Sequence, residues 1–104
     1  MNSPRDVPGE APVREPRQTT KRPSRFTVLL HNDNYTTMEF VVQVLQTIFQ
    51  KPAAESVEIM LRVHQEGRGK AGIYTAEIAE TKIRAVDVLA KEYGFPLKCT
   101  MEPE

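Results

Sequence analysis

Residues 30–42, Leu-His-Asn-Asp-Asn-Tyr-Thr-Thr-Met-Glu-Phe-Val-Val, join an apolar strand to an apolar helix. The Asn-Asp-Asn triplet is typical of a turn, and Thr36 and Glu39 have the spacing of a capping box at the start of a helix. Such a junction places polar side chains at the mouth of an apolar cleft. We therefore expect a binding site here for a ligand with a charged end and an apolar side chain.

The composition of this 104-residue chain argues against several classes of protein. Its formal net charge is zero, so no general attraction to nucleic acid or to an anionic membrane is expected. No apolar run is long enough for a membrane span, and prolines interrupt the N-terminal region where a signal peptide would have its apolar core. A single cysteine excludes an intrachain disulfide. Together these features predict a cytoplasmic location.

The composition changes near residue 24. Five of the eight prolines lie before that point, and Val7 and Val13 are the only sizeable aliphatic residues there. Such a segment buries too little apolar surface to offset the entropy of ordering, so residues 1–24 are predicted to be a disordered extension. It is either a passive linker or a segment that a partner grips. Residues 25–104 are predicted to form one core domain.

Hydrophobic periodicity in the core domain predicts three strands and three helices. The strands are expected at residues 25–31, 71–74 and 97–102, with a loop at 67–70, and the helices at about 37–50, 53–66 and 75–93. The predicted buried stripe of the second helix is Val57, Met60, Leu61 and His64, and that of the third is Ile78, Ala85, Val86, Leu89 and Tyr93. The fold class is α+β: a β-α-α-β-α-β sandwich in which three helices cover one face of a three-stranded antiparallel sheet.

Residues of the Asn-Asp-Asn turn and residues of the second helix are candidates for binding, and each also has a structural interpretation. Asn32, Asp33 and Asn34 are either a plain turn or acceptors for a cationic amine, since charge-assisted hydrogen bonds are the stronger kind. His64 is either a structural histidine or an acceptor at the rim of a pocket. Met60 belongs either to the core or to a pocket wall that tolerates varied ligand shapes.

The sequence gives little support for catalysis or for a bound cofactor. No Ser-His-Asp arrangement is recognisable, and the two histidines and Cys99 lack the spacing of metal ligands. Gly67-Arg68-Gly69-Lys70 lacks the spacing of a phosphate-binding loop. A small hydrolase that uses His64 with Asp33 would have no apparent nucleophile. The chain is therefore predicted not to be an enzyme, with no catalytic or metal-ligating residues and no cofactor.

The core domain resembles the ClpS family, the bacterial adaptors that hand substrates to the ClpAP protease. The resemblance rests on four segments in the family's order: NDNYTTMEFV at 32–41, MLRVH at 60–64, YTAEIAETK at 74–82 and PLKCT at 96–100. It implies a non-enzymatic adaptor that binds N-degrons, which are protein N-termini beginning with Leu, Phe, Tyr or Trp. Such an adaptor would deliver these proteins to the unfoldase ClpA.

The resemblance also implies roles for individual residues. The α-amino group of the substrate would be bound by Asn32, Asp33, Asn34, Thr36 and His64. The hydrophobic pocket would be lined by Leu30, Met38, Val41, Met60, Val63 and Leu97, with Met38 excluding β-branched first residues. Glu77 and Lys82 would meet the N-terminal domain of ClpA. This chain has Asn34 where the family usually has aspartate, and Thr37 where it often has proline.

A different class of function stays open at this point. The order β-α-α-β-α-β also resembles the C-terminal domain of the ribosomal stalk protein, which is a docking module that does not recognise N-terminal amines. Under either interpretation we expect a monomer whose partners are proteins, with no nucleic acid and no membrane among them.

Overall fold

A computed structural model describes residues 23–104. Its elements follow the order β1 (Arg25–His31), α1 (Met38–Thr47), α2 (Ala53–Glu66), β2 (Arg68–Thr75), α3 (Ala76–Tyr93) and β3 (Lys98–Pro103). The strands form one antiparallel sheet in the order β2-β1-β3. The predicted α+β fold class is confirmed. The predicted disorder of residues 1–24 falls, apart from residues 23 and 24, outside the described residues.

The core lies between the helices and one face of the sheet. Val28 and Leu30 on the central strand are completely buried, as are Val44 and Leu45 of α1 and Val86 of α3. Because successive side chains of a strand point to opposite faces, Thr27, Leu29 and His31 lie on the other face. Within residues 23–104 the helices therefore cover one face of the sheet and leave the other, the open face, uncovered, although Leu29 on that face is only 8% exposed.

The structure corrects the cap of α1. Thr37, not Thr36, is the N-cap, and its side-chain oxygen accepts a hydrogen bond from the backbone N–H of Phe40 at 3.1 Å. Thr36 is drawn away from that position by Asp33, to which its hydroxyl donates at 2.7 Å. The helix also ends at Thr47, three residues before the predicted end, and Gln50 takes a positive φ of 56°.

The buried stripes of α2 and α3 differ from the predicted ones. The second helix buries Ser56, Ile59, Met60 and Val63, whereas Val57, Leu61 and His64 are exposed. The third buries Ala79, Val86 and Ala90, whereas Ile78, Ala85 and Tyr93 are exposed and Leu89 is half-buried. The prediction ranked positions by hydrophobicity, but small residues at the contact let a helix approach its neighbour closely. The buried face of α2 keeps Met60 of the predicted stripe and adds Ser56, Ile59 and Val63, and that of α3 keeps Val86 and adds Ala79 and Ala90.

The second strand begins earlier than predicted. Arg68, Gly69 and Lys70 pair with His31, Leu30 and Leu29 of the central strand, so the predicted loop is part of β2. Gly69 permits this pairing, since a β-carbon there would lie 2.7 Å from Cγ2 of Val63. The register shifts between Val28 and Leu29, and this bulge hides the simple alternation on which strand prediction depends.

Candidate functional site

A cavity of about 430 Å³ opens where β1 ends, between the following loop, the start of α1 and the second half of α2. Its walls are formed by Asn32, Asp33, Asn34, Tyr35, Thr36, Thr37, Met38, Val41, Met60, Val63 and His64. Cavities of this size accommodate small ligands or single side chains. The apolar members of this set come from the two helices, and the polar members come mainly from the loop.

Asp33 organises the loop that forms the polar rim. One carboxylate oxygen, Oδ1, accepts hydrogen bonds from the backbone N–H groups of Tyr35 and Thr36 at 2.8 and 2.7 Å. The other, Oδ2, accepts from the Thr36 hydroxyl at 2.7 Å. Burial alone would raise the pKa of Asp33, but these three hydrogen bonds outweigh it and hold the pKa below its ordinary value. The carboxylate is therefore an ionised brace for this loop.

The cap of α1 fixes the position of Met38 at the cavity. With Thr37 as N-cap, Met38 is the first helical residue and its side chain is 44% exposed at the edge of the cavity. Val41 follows almost one turn later, is buried, and contributes to the wall. Met38 thus places an apolar side chain at the opening of the cavity.

The opposite wall comes from α2. Met60, Val63 and His64 are spaced i, i+3 and i+4, so they share one side of that helix. Met60 and Val63 are buried, whereas His64 is exposed at the rim. Gly67 ends the helix in a left-handed conformation with φ of 91°, and its carbonyl accepts the backbone N–H of Asn32 at 2.9 Å. This hydrogen bond joins the α2 side of the rim to the loop side.

Two residues predicted to line the pocket, Leu30 and Leu97, are buried. Leu30 has no exposed surface and Leu97 has 5%, and neither lines the cavity. Leu30 alternates onto the helix-facing side of the central strand, and Leu97 packs into the same core. Both residues belong to the same buried core as Val41, Met60 and Val63 of the cavity wall, and their predicted contact with a ligand stays a prediction.

The two residues predicted to face a protein partner lie on α3, away from this cavity. Glu77 and Lys82 line a separate shallow depression together with Ile78 and Thr81. Glu77 is exposed. Lys82 has a structural task, because its ammonium donates to the carbonyl of Ile48 at 2.8 Å and lies 5.3 Å from the centre of the Tyr74 ring.

Other reactive side chains lie apart from the cavity. Cys99 is buried, and burial, with a smaller contribution from Asp87, raises its pKa to about 12. A thiol of this kind is a poor nucleophile. Within residues 23–104, no three His, Cys, Asp or Glu side chains are grouped so as to hold a metal ion. In the same range, no helix has both the length and the apolar character that crossing a bilayer requires.

Sequence reasoning missed two members of the cavity wall. Tyr35 is 75% exposed and stands at the rim. Thr37 lines the cavity in addition to capping α1. The available signal was the length of the loop: five residues separate Asn32 from Met38, and a loop folded around Asp33 must present most of them to the same opening.

The comparisons with known proteins agree on one family. The family model described as "ATP-dependent Clp protease adaptor protein ClpS" matches residues 21–100. An adapter protein ClpS from Desulfatibacillum aliphaticivorans is 63% identical over 90 residues, covering 86% of each chain. One from Myxococcus xanthus is 54% identical over 89 residues, covering 86% of this chain and 83% of its own.

A solved structure is similar to the whole described domain. Agrobacterium tumefaciens ClpS2, bound to L-phenylalaninamide, superposes with a TM-score of 0.76 at 40% sequence identity. The match covers 80% of this chain and all of that one.

Proposed function

Since this chain belongs to the ClpS family of ATP-dependent Clp protease adaptors, we propose that it binds proteins through a bulky hydrophobic N-terminal residue. The preferred first residues are Leu, Phe, Tyr and Trp, and the bound protein is delivered to ClpA for degradation by ClpAP. The chain itself performs no catalysis, and it acts in the cytoplasm as a monomer. Family membership leaves the stalk-like docking hypothesis without a supporting observation.

The observation that supports this proposal is the division of the cavity into an apolar interior and a polar rim. Met38, Val41, Met60 and Val63 suit a hydrophobic side chain. Asn32, Asn34 and His64 supply hydrogen-bonding groups at the opening, where the ligand's α-amino group would lie. The ligand of the Agrobacterium relative, L-phenylalaninamide, has both parts, a bulky side chain and a free α-amino group.

Energetic considerations require both halves of the ligand. Burying a Leu or Phe side chain contributes roughly 1.5–3 kcal/mol, whereas micromolar binding requires about 8 kcal/mol. Hydrogen bonds to the amino group and to the ligand backbone must supply the difference. An internal leucine lacks the amino group, and an N-terminal lysine would place a charge in an apolar cavity. Selectivity for a hydrophobic residue at a free N-terminus follows.

The amide of Asn34 is expected to weaken amine binding relative to relatives that carry aspartate there. An amide oxygen accepts a hydrogen bond but has no negative charge, and the lost charge assistance is worth on the order of 1 kcal/mol. Asp33 supplies the negative charge in the wall. Its three hydrogen bonds within the loop leave it to act on the ligand mainly through its field.

The test of side-chain selection is Met38→Ala. Peptides that begin with Phe, Leu, Ile or Val and are otherwise identical are titrated against both proteins by fluorescence anisotropy. The wild type is expected to bind the Phe and Leu peptides and to discriminate against Ile and Val. The variant is expected to bind the Ile and Val peptides about ten-fold more tightly than the wild type does, because a smaller gate removes the clash with a branched β-carbon.

The matched control is Val57→Ala, an aliphatic truncation at an exposed position of α2 outside the cavity wall. It should leave all four affinities unchanged. If Met38→Ala discriminates against Ile and Val as the wild type does, Met38 is not the gate.

For delivery, we assign the ClpA-binding surface to Glu77 and Lys82. Glu77 is the cleaner probe of this surface, because replacing Lys82 also removes the hydrogen bond to Ile48.

A further inference from the structure

The open face of the sheet carries a cluster of basic side chains at the end nearest the cavity. Arg68 and Lys98 flank His31 in the register of the two outer strands, so these three residues form one row across the sheet. Lys70 lies in the next row, beside Leu29. Neighbouring strands are about 4.8 Å apart, so these side chains occupy a small area. We call Arg68, Lys70 and Lys98, with His31, the basic face.

Two properties of His31 agree with this placement of the cations around it. The ring of His31 shares a 2.7 Å hydrogen bond with the hydroxyl of Thr100, which lies on the same face. The pKa of His31 is lowered by burial and then by the positive charges of Lys98 and Arg68. Glu102 acts in the opposite direction, but it lies two rows away, opposite Thr27.

The basic face is a local excess of positive charge on a domain that has none overall. Residues 23–104 contain nine Lys or Arg against eleven Asp or Glu. Arg68, Lys70 and Lys98 are exposed. None of the three forms a salt bridge with another of the described residues, whereas Arg25 at the far end of the sheet pairs with Glu104 at 2.8 Å.

The basic face is continuous with the cavity rim. His31 directly precedes Asn32, and Arg68 directly follows Gly67, whose carbonyl binds the backbone N–H of Asn32. A polypeptide held by its first residue leaves the cavity over its rim, and the basic face borders the part of that rim formed by Asn32. Since an extended chain advances about 3.3 Å per residue, a chain that leaves on this side brings the residues a few positions after its first one towards these cations.

We propose that the basic face binds acidic side chains in the substrate a few residues beyond its N-terminal residue. Charge complementarity supports an acidic segment as the occupant, and continuity with the cavity places it in the same polypeptide. The inference rests on the proposed function and adds a second requirement to it. Among substrates with the same first residue, those followed by Asp or Glu are bound more tightly.

The test compares two labelled peptides that begin with Phe. One carries Asp and Glu at positions three to six, and the other carries Asn and Gln. At low salt, about 50 mM, the wild type is expected to bind the acidic peptide about five-fold more tightly. That ratio should fall towards one at about 500 mM salt. The double variant Lys70→Gln/Lys98→Gln should lose the preference at low salt while its affinity for the Asn/Gln peptide is unchanged.

The control variant is Lys91→Gln, which removes an exposed cation from α3 instead and should keep the preference. Equal binding of both peptides by the wild type, or a preference that survives in the double variant, overturns the inference but leaves N-terminal recognition intact. Failure of both peptides to bind overturns the proposed function and this inference with it. Labelled single-stranded DNA is titrated in parallel. Binding that requires Lys70 and Lys98, without any preference between the peptides, would assign the basic face to nucleic acid and overturn the proposal.

Discussion

Asp33→Ala is expected to lower the stability of the domain by about 2 kcal/mol and its affinity for an N-terminal Phe peptide by at least about ten-fold. The carboxylate accepts three hydrogen bonds of 2.7–2.8 Å from Tyr35 and Thr36, and alanine removes all three. The loop then no longer holds Asn34 and Thr36 at the rim. For a domain of this size the stability loss corresponds to a fall in Tm of roughly 8–16 °C, measurable by circular dichroism.

The matched variant Asp33→Asn separates the hydrogen bonds that the Asp33 side chain accepts from the effect of its negative charge. Its side-chain oxygen can still accept the backbone N–H groups, so we expect a smaller loss of stability than for alanine. The depressed pKa of Asp33 means that its stabilising contribution is present above its ordinary pKa of 3.8 and is lost as the pH falls through the lower folded-state value. The stability difference between wild type and Asp33→Asn should therefore shrink below about pH 4. A difference that is constant from neutral to acidic pH would contradict this role.

Gly69→Ala is expected to be destabilising by about 1–3 kcal/mol, because the added methyl group overpacks the contact between β2 and α2. A β-carbon at this position lies 2.7 Å from Cγ2 of Val63 and 3.2 Å from the carbonyl oxygen of Ile59. The strand, the Val63 side chain or α2 must then shift, and α2 carries Met60, Val63 and His64 of the cavity wall. We therefore expect ligand affinity to fall together with the midpoint of chemical denaturation.

The control for this variant is Gly94→Asn. No atom lies within 4 Å of a β-carbon built there, and asparagine tolerates the left-handed conformation at φ of 76°. Its denaturation midpoint should stay close to that of the wild type. A Gly69→Ala protein with unchanged stability and affinity would show that the close packing of the strand on α2 does not position the site.

Local signals in the sequence were sufficient to predict the bounds of an element where one kind of local signal determined them. β1 and α2 have the predicted bounds, because alternation defines the first and Pro52 and Gly67 punctuate the second. The predicted start of β2 was wrong because a run of two glycines and two cations is typical of a loop. In the structure, pairing with β1 makes Arg68, Gly69 and Lys70 part of the strand. The buried face of α3 was predicted only in part: Val86 is buried as expected, but Ala79 and Ala90 are buried where the larger Ile78 and Tyr93 were expected.

The candidate site was predictable as a set of residues but not as an arrangement. Asn32, Asp33 and Asn34 lie with His64 around one opening, in the grouping that the resemblance to the family implied. The sequence could not show that Asp33 turns inward to brace Thr36, because that depends on the loop closing over its own backbone. It also could not show that Leu30 is completely buried, since burial of that strand residue is set by the helices packed on it.

The central claim is that this domain recognises a free α-amino group next to a bulky side chain. Its most direct test is the anisotropy titration of a labelled Phe peptide against the same peptide acetylated at its N-terminus. We expect binding of the free peptide, and a loss of at least about 100-fold on acetylation, because the acetyl group removes the charge and blocks the hydrogen bonds at the rim. Equal binding of the two peptides, or binding of neither, would contradict the account.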